Sequence, residues 1–263
     1  MAIVNVTPDS FYGASRRCEY EDVRAAVEDA VGAGATIIDI GGYSSRPGAA
    51  EVDVEEEWRR VALGLEAVRG AQCGAVVSID TFRSDIVRRA YEGYGAFIVN
   101  DISAGELDDA MVATVAELSL PYVAMHMRGT PQTMQLSTEY DGGVVAAVVT
   151  YFQRRTRELL DAGILRENII LDPGFGFAKS VEQNYELMRH LDRLRALKFP
   201  ILVGVSRKSM IYKTLATTPE MALPGSLALA WEALGSGPAI LRVHDVAETM
   251  QILKVRNIYN SVL

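Results

Sequence analysis

Strand-sized apolar runs alternate with helix-forming stretches eight times along this chain, and that alternation restricts it to an α/β fold with a parallel sheet. The strands are expected at residues 2–6, 36–39, 75–80, 96–100, 121–126, 168–172, 200–205 and 239–243. Ile37-Ile38, Val76-Val77-Ser78-Ile79 and Ile169-Ile170-Leu171 are apolar at successive positions, as strands are when helices cover both faces. Helices are expected near residues 20–33, 54–69, 84–92, 108–118, 143–162, 181–194, 225–234 and 246–259. In the first of these, Val23, Val27, Ala30 and Val31 share one face and Gly34 supplies a C-terminal stop. Eight units in a row favour a single closed (β/α)8 TIM barrel over an open doubly wound sheet. The 263 residues match the roughly 250 typical of such a barrel, so residues 1–263 are expected to form one domain. There is no linker, low-complexity tract or residue-level repeat.

Composition narrows the function. A net charge of -8 leaves no uniformly basic surface for a polyanion, which argues against nucleic acid as a partner; an anionic substrate would need a local pocket of Arg, Lys and His. The apolar runs are broken by charges well before the roughly 20 residues of a membrane span, and no signal peptide opens the chain. Cys18 and Cys73 are too few for a disulfide framework. A reduced, cytoplasmic setting is expected, with no membrane association.

In a parallel barrel the active site lies at the C-terminal face of the strands, where five of the runs end in a polar group: Asp39, Asp80, Asn100, Asp172 and His244. Any one of the acids reads equally well as a helix cap or a turn residue. Together with Asn100, at one level of different strands, they form a ring of acceptors and an amide suited to a flat, nitrogen-rich heterocycle. Arg242 and His244, two apart, point to the same side of the last strand and suit an anion. In Ser206-Arg207-Lys208-Ser209, Arg207 is expected to be solvated and Lys208 to point toward the acids. Phe177 either packs or covers a bound ring, His126 is a candidate core residue and His190 a surface one. No His/Cys/Asp cluster has metal-ligand spacing, which disfavours a zinc hydrolase.

Asn5-Val6-Thr7-Pro8-Asp9-Ser10-Phe11, Ser44-Ser45-Arg46-Pro47-Gly48, Ser78-Ile79-Asp80-Thr81, Asn100-Asp101-Ile102-Ser103, Met125-His126-Met127, residues 172–177, Ser206-Arg207-Lys208-Ser209 and residues 242–246 resemble, in order and over essentially the whole chain, the dihydropteroate synthase family of pterin-binding enzymes. That family joins 6-hydroxymethyl-7,8-dihydropterin diphosphate to 4-aminobenzoate and releases pyrophosphate, in folate biosynthesis. The resemblance implies that Asp80, Asn100, Met125, Asp172, Phe177 and Lys208 hold the pterin. It implies that Asn5, Ser45, Arg46, Arg242 and His244 surround the diphosphate, with Mg2+ bound through Asn5, and that Phe11, Pro47 and Ser209 line the 4-aminobenzoate pocket. The catalytic set it implies is Asp80, Lys208, Arg242 and His244. A homodimer formed through barrel helices and inhibition by sulfonamides are further implications.

Three departures stand beside the resemblance. Tyr12-Gly13-Ala14-Ser15 stands where the family often has Ser-Asp-Gly-Gly, and Tyr43-Ser44-Ser45 where it commonly has Glu-Ser-Thr; a hydroxyl is kept and a charge is not. Family members usually carry a segment before the first strand, whereas Asn5 stands nearly at the start here, as expected of a shortened chain. Two other functions compete: a methyltetrahydrofolate-type pterin-binding methyltransferase, which has no diphosphate for Arg242 and His244 to bind, and a non-catalytic pterin-binding barrel.

Overall fold

A computed structural model describes residues 1–6, 16–43, 51–130, 132–134 and 138–262, with side chains for all of these except 16–19. Among them are eight strands, each followed by at least one helix before the next strand or the end of the chain, the order of a (β/α)8 barrel and the α/β class expected. The chain forms two compact units: residues 1–125 with 158–169, and residues 126–157 with 170–263.

The first unit contains β1 (Ala2–Asn5), α1 (Arg16–Gly32), β2 (Ile37–Gly41), α2 (Val54–Ala71), β3 (Val76–Asp80), α3 (Ser84–Tyr94), β4 (Ile98–Asp101), α4 (Met111–Leu118) and β5 (Tyr122–Met125). The five strands pair in parallel and in sequence order. Their alternate residues bury an apolar layer under the helices, with Ile38, Ile40, Ile79 and Val99 fully enclosed. The α2 helix begins where Asp53 accepts the Glu56 N–H at 2.8 Å, which satisfies a donor the helix itself leaves open.

The second unit holds most of α5 (Val144–Asp161) and β6 (Ile169–Asp172), then α6 (Val181–Arg189), α7 (Leu191–Arg195), β7 (Leu202–Val203), α8 (Ser209–Thr214), α9 (Leu223–Gly235), β8 (Ile240–Leu241) and α10 (Val246–Ser261). A capping box opens α6: Ser180 Oγ accepts from Gln183 N at 3.2 Å while Ser180 N donates to Gln183 Oε1 at 2.8 Å.

Three expectations need correction here. The single helix expected at 181–194 is two, because His190 leaves helical geometry (φ -112°, ψ 29°) and its N–H is shared between the carbonyls of Glu186 and Leu187. The last two strands are only two residues each, paired as Leu202↔Ile240 and Val203↔Leu241. Finally, α8 directly follows Lys208 inside a stretch expected to be loop.

Candidate active site

Strand register aligns the polar residues of the first unit. Asn5 pairs with Gly41, Gly41 with Asp80, and Asp80 with Asn100, so these four positions form one row across β1 to β4. Gly41 lets the strands approach closely: a Cβ there would stand 3.1 Å from Asn5 Oδ1, tighter than most such contacts, and 3.7 Å from the Asp80 Cβ. One layer deeper, Asp39 pairs with Ser78. Ser78 Oγ donates to Asp39 Oδ1 at 2.6 Å, and Asn100 Nδ2 donates to Asp39 Oδ2 at 3.1 Å. Asp39 therefore does not stand at the level of Asp80, as expected from the sequence. β2 runs on to Gly41, and Asp39, fully buried, fixes the Asn100 amide from below. Met125 ends β5 and is buried.

Behind the row, Asp101 holds the turn after β4. Its carboxylate accepts from Ser103 N and Oγ, Gly105 N and Tyr122 Oη, each at 2.7 Å. Burial pushes its pKa up, and these donors oppose the shift. A second buried acid, Glu57, accepts from Thr81 Oγ1 and Arg83 Nη1 at 2.6 Å each, while Arg83 Nη2 donates to the Val52 carbonyl at 2.8 Å. Arg60 donates to the Gly42 carbonyl at 3.1 Å. The described flanks of residues 44–50 are thus tied to α2 and to the start of α3. Phe11, Ser45, Arg46 and Pro47 lie outside the described residues, as do the departures at residues 12–15 and at Ser45; Tyr43 is described and packs edge-on against Phe82 at 5.2 Å.

The second unit holds one carboxylate among several cations. Asp172 ends β6, is buried and accepts from Gly174 N at 2.8 Å. Burial raises its pKa; the positive charge of Lys208, the Gly174 N–H, Arg242 and Lys179 pull the other way. Lys208 precedes α8, donates from Nζ to the Phe175 carbonyl and places Nζ 4.8 Å from the centre of the Phe177 ring. Gly176, at φ +82°, adopts a backbone shape that L side chains rarely take, and it brings the loop against the Lys208 stem. Ser209 is the first residue of α8. The sequence alone missed Lys179, which is buried and binds the Gly174 and Phe177 carbonyls at 2.9 Å each. A lysine in a Gly-rich loop carries no mark of such burial.

Arg242 follows β8 and its N–H continues the ladder to the Val203 carbonyl at 3.0 Å. His244 is exposed and faces Ser206: its backbone N–H donates to Ser206 Oγ at 3.2 Å, and that oxygen lies 3.1 Å from His244 Nδ1. Ser206 Oγ accepts from the backbone and keeps both a proton and a second lone pair, so it can donate to Nδ1 or accept from it, and in either case it anchors the imidazole. Arg207 is not solvated as expected. It forms a bidentate pair with Asp245 at 2.9 and 2.6 Å and donates to the carbonyls of Pro219 and Glu220. His126 is a core residue, buried and edge-on to Tyr151.

A family model described as pterin binding enzyme matches residues 1–244. Dihydropteroate synthase of Escherichia coli (strain K12) is 44% identical over 256 residues, covering 97% of this chain and 89% of that protein. The solved structure of Xanthomonas albilineans dihydropteroate synthase with 4-aminobenzoic acid is 40% identical, covers 100% of this chain and 93% of that one, and superposes with a TM-score of 0.91. The Yersinia pestis dihydropteroate synthase solved in a sulfonamide drug complex is 36% identical, with 99% and 94% coverage and a TM-score of 0.90.

Proposed function

Since the chain belongs to the dihydropteroate synthases of the pterin-binding enzyme family, a family of transferases, we propose which residues carry the reaction. The reaction condenses 6-hydroxymethyl-7,8-dihydropterin diphosphate with 4-aminobenzoate to give 7,8-dihydropteroate and pyrophosphate. Asp80, Asn100 and Asp172 bind the polar edge of the pterin, and Met125, Phe177 and Lys208 bind its ring. Asn5, Ser45, Arg46, Arg242 and His244 bind the diphosphate; Phe11, Pro47 and Ser209 bind 4-aminobenzoate. The observation that carries this reading is the register row Asn5–Gly41–Asp80–Asn100, which aligns amide and carboxylate on successive strands as a polar heterocycle needs.

Chemically, the amine nitrogen of 4-aminobenzoate attacks the pterin methylene carbon, the bond from that carbon to the diphosphate oxygen breaks, and the amine loses a proton. Arg242 and His244 stabilise the charge that builds on the leaving diphosphate. Asp80 and Asp172 favour the positive charge that builds on the pterin side. The Asn5 side chain offers a hard amide oxygen beside the side-chain-free Gly41, and a Mg2+ ion typically takes few protein ligands besides substrate phosphate oxygens. Asn5 would hold that ion, which when bound neutralises charge on the diphosphate.

Exposed Val255, Ile258, Tyr259 and Val262 fall at helical spacing on one face at the end of the chain, which supports a homodimer formed through α10. The Cys73 thiol is free, and no described helix is long and apolar enough to cross a membrane; a reducing, cytoplasmic location fits both. Sulfonamides compete with 4-aminobenzoate in this reading, as the Yersinia pestis complex supports. A coupled pyrophosphate assay with both substrates, with and without Mg2+, is the test. Release that needs both substrates and the ion is expected. Corrinoid-dependent methyl transfer with no pyrophosphate would favour the methyltransferase instead.

A further inference from the structure

Lys179 is 4% exposed, and among the described residues no carboxylate hydrogen-bonds to it. Its ammonium instead meets three acceptors: the Gly174 carbonyl at 2.9 Å, the Phe177 carbonyl at 2.9 Å and His126 Nδ1 at 3.0 Å. An ammonium has three N–H donors and no acceptor, so each donor has one partner and Nδ1 must be the bare nitrogen of a neutral ring. Burying a charge is costly, and a purely structural tie between two carbonyls does not need one.

What the three bonds hold is the loop that leaves β6. Gly174 and Phe177 lie either side of Phe175 and Gly176, and Phe177 N itself donates to the Gly174 carbonyl at 3.1 Å. Asn184 completes the tie from α6, accepting from Gly176 N at 2.7 Å and donating to the Lys179 and Ser180 carbonyls. Tyr140 Oη donates to the Ala178 carbonyl at 2.9 Å. Lys208 also meets the loop, donating to the Phe175 carbonyl and standing over the Phe177 ring. We propose that Lys179 is a positioning residue for pterin binding: its ammonium, seated on His126, draws in the Gly174 and Phe177 carbonyls and so fixes the Phe177 ring and the Asp172 carboxylate against the substrate. The proposal rests on Asp172 and Phe177 being pterin contacts.

The surroundings make this tie titratable. Burial lowers the Lys179 pKa to about 7, with Asp172 opposing the shift and Lys208 adding to it. Burial, together with the charges of Lys179 and Arg128, keeps His126 neutral down to about pH 2. The groups facing the ammonium are thus His126, Asp172 and Lys208, with Arg128 beyond the histidine. His126 does not change charge in the physiological range. Above about pH 7 Lys179 loses a proton, and a neutral amine with two N–H groups cannot serve three acceptors.

The test is calorimetry with 6-hydroxymethylpterin between pH 6 and 9, together with the KM for 4-aminobenzoate, on wild type, Lys179→Met and Phe177→Ala. Both variants should raise the pterin Kd about tenfold at pH 6.5, as loss of hydrogen bonds to a charged group predicts, while the 4-aminobenzoate KM changes by less than about twofold. Wild-type pterin affinity should fall as pH rises through 7, and the Lys179→Met profile should be flat there. Unchanged pterin affinity in Lys179→Met, with Phe177→Ala weakened, overturns the role of Lys179 and leaves the pterin site standing. Unchanged affinity in Phe177→Ala instead overturns the site reading itself. Should Lys179→Met fail to fold, the wild-type profile decides: flat pterin affinity from pH 6 to 9 overturns the proposal.

Discussion

Asn5, Asp80 and Asn100 in the first unit and Asp172, Lys208, Arg242 and His244 in the second are aimed by different means. In the first unit, continuous parallel ladders set the row, and the side chain beneath it, Asp39, binds within the same layer of strands. In the second, Asp172 ends the four-residue β6, but β7 and β8 have two paired residues each, a short ladder that reaches Arg242 and leaves Lys208 and His244 beyond it. There the aiming is done by side chains that cross from loop to loop: Lys179 to Gly174 and Phe177, Lys208 to Phe175, Ser206 to His244, and Arg207 to Asp245. A row set by backbone hydrogen bonds resists single substitutions at its flanks. A set aimed by side chains passes the loss of any one of them directly to the site.

The largest effect that follows is on turnover. If Arg242 binds the departing diphosphate, its contact strengthens as negative charge develops, so Arg242→Ala should lower kcat as well as affinity for the pterin diphosphate. Loss of one such donor typically costs about 10² to 10³ in rate where the site is preorganised. Steady-state kinetics decides the matter, and wild-type turnover in this variant would remove the second unit's cation set from the reaction. His244→Ala should be milder, since Arg242 would still neutralise much of the charge.

Next in size is a loss of stability, and it tests the first unit. Asp39→Ala strips both Ser78 Oγ and Asn100 Nδ2 of their buried acceptor. Leaving two buried donors unpaired should cost about 3 kcal/mol, read as a shift in the urea midpoint at unchanged m-value. A variant as stable as wild type would mean that the ladders alone hold the row and Asp39 adds nothing.

How much of this was legible in the sequence follows the same division. The strand and helix alternation and the strand-end acids Asp80 and Asp172 are local patterns of period and composition, and they appear in the structure apart from the break at His190, the short last strands and α8; Asn100 stands one residue before the end of β4. Asp39 was placed a layer too high because Gly41-Gly42 reads as the start of a loop, whereas Gly41 is the last strand residue, small so that Asn5 and Asp80 can flank it. Arg207 was read as solvated because its partner, Asp245, lies 38 positions away, and no local spacing reports such a pair. The same is true of Lys179 and His126, 53 positions apart. What the sequence hides is the contact made between loops, and the second unit is built largely from these.

A third test compares the two units at one ligand. Asp80→Ala and Asp172→Asn each remove an acceptor that a pterin N–H would use, and an unpaired donor in a water-poor site should weaken pterin binding about ten- to thirtyfold. Calorimetry with a pterin lacking the diphosphate isolates this from the anion site. Asp172 has the nearby positive charges of Lys208, Arg242 and Lys179 to leave unbalanced, so its variant should also change pyrophosphate binding, while Asp80→Ala should not. Equal effects on both ligands in both variants would erase the distinction between the units.

The smallest effect expected is at Ser206. Its hydroxyl accepts from His244 N and lies 3.1 Å from Nδ1, which anchors the imidazole. Ser206→Ala keeps Arg242 and the imidazole but frees the ring to rotate, so its contact with the diphosphate is held less well. The expected loss in kcat/KM for the pterin diphosphate is about two- to fivefold, in line with one neutral hydrogen bond, with the KM for 4-aminobenzoate unchanged. In a His244→Ala background the same substitution should cost nothing further, because its only route to the substrate is through the ring. An equal loss in both backgrounds would show that Ser206 acts on the site by another path, and that the side chains of the second unit are less coupled than their bonds imply.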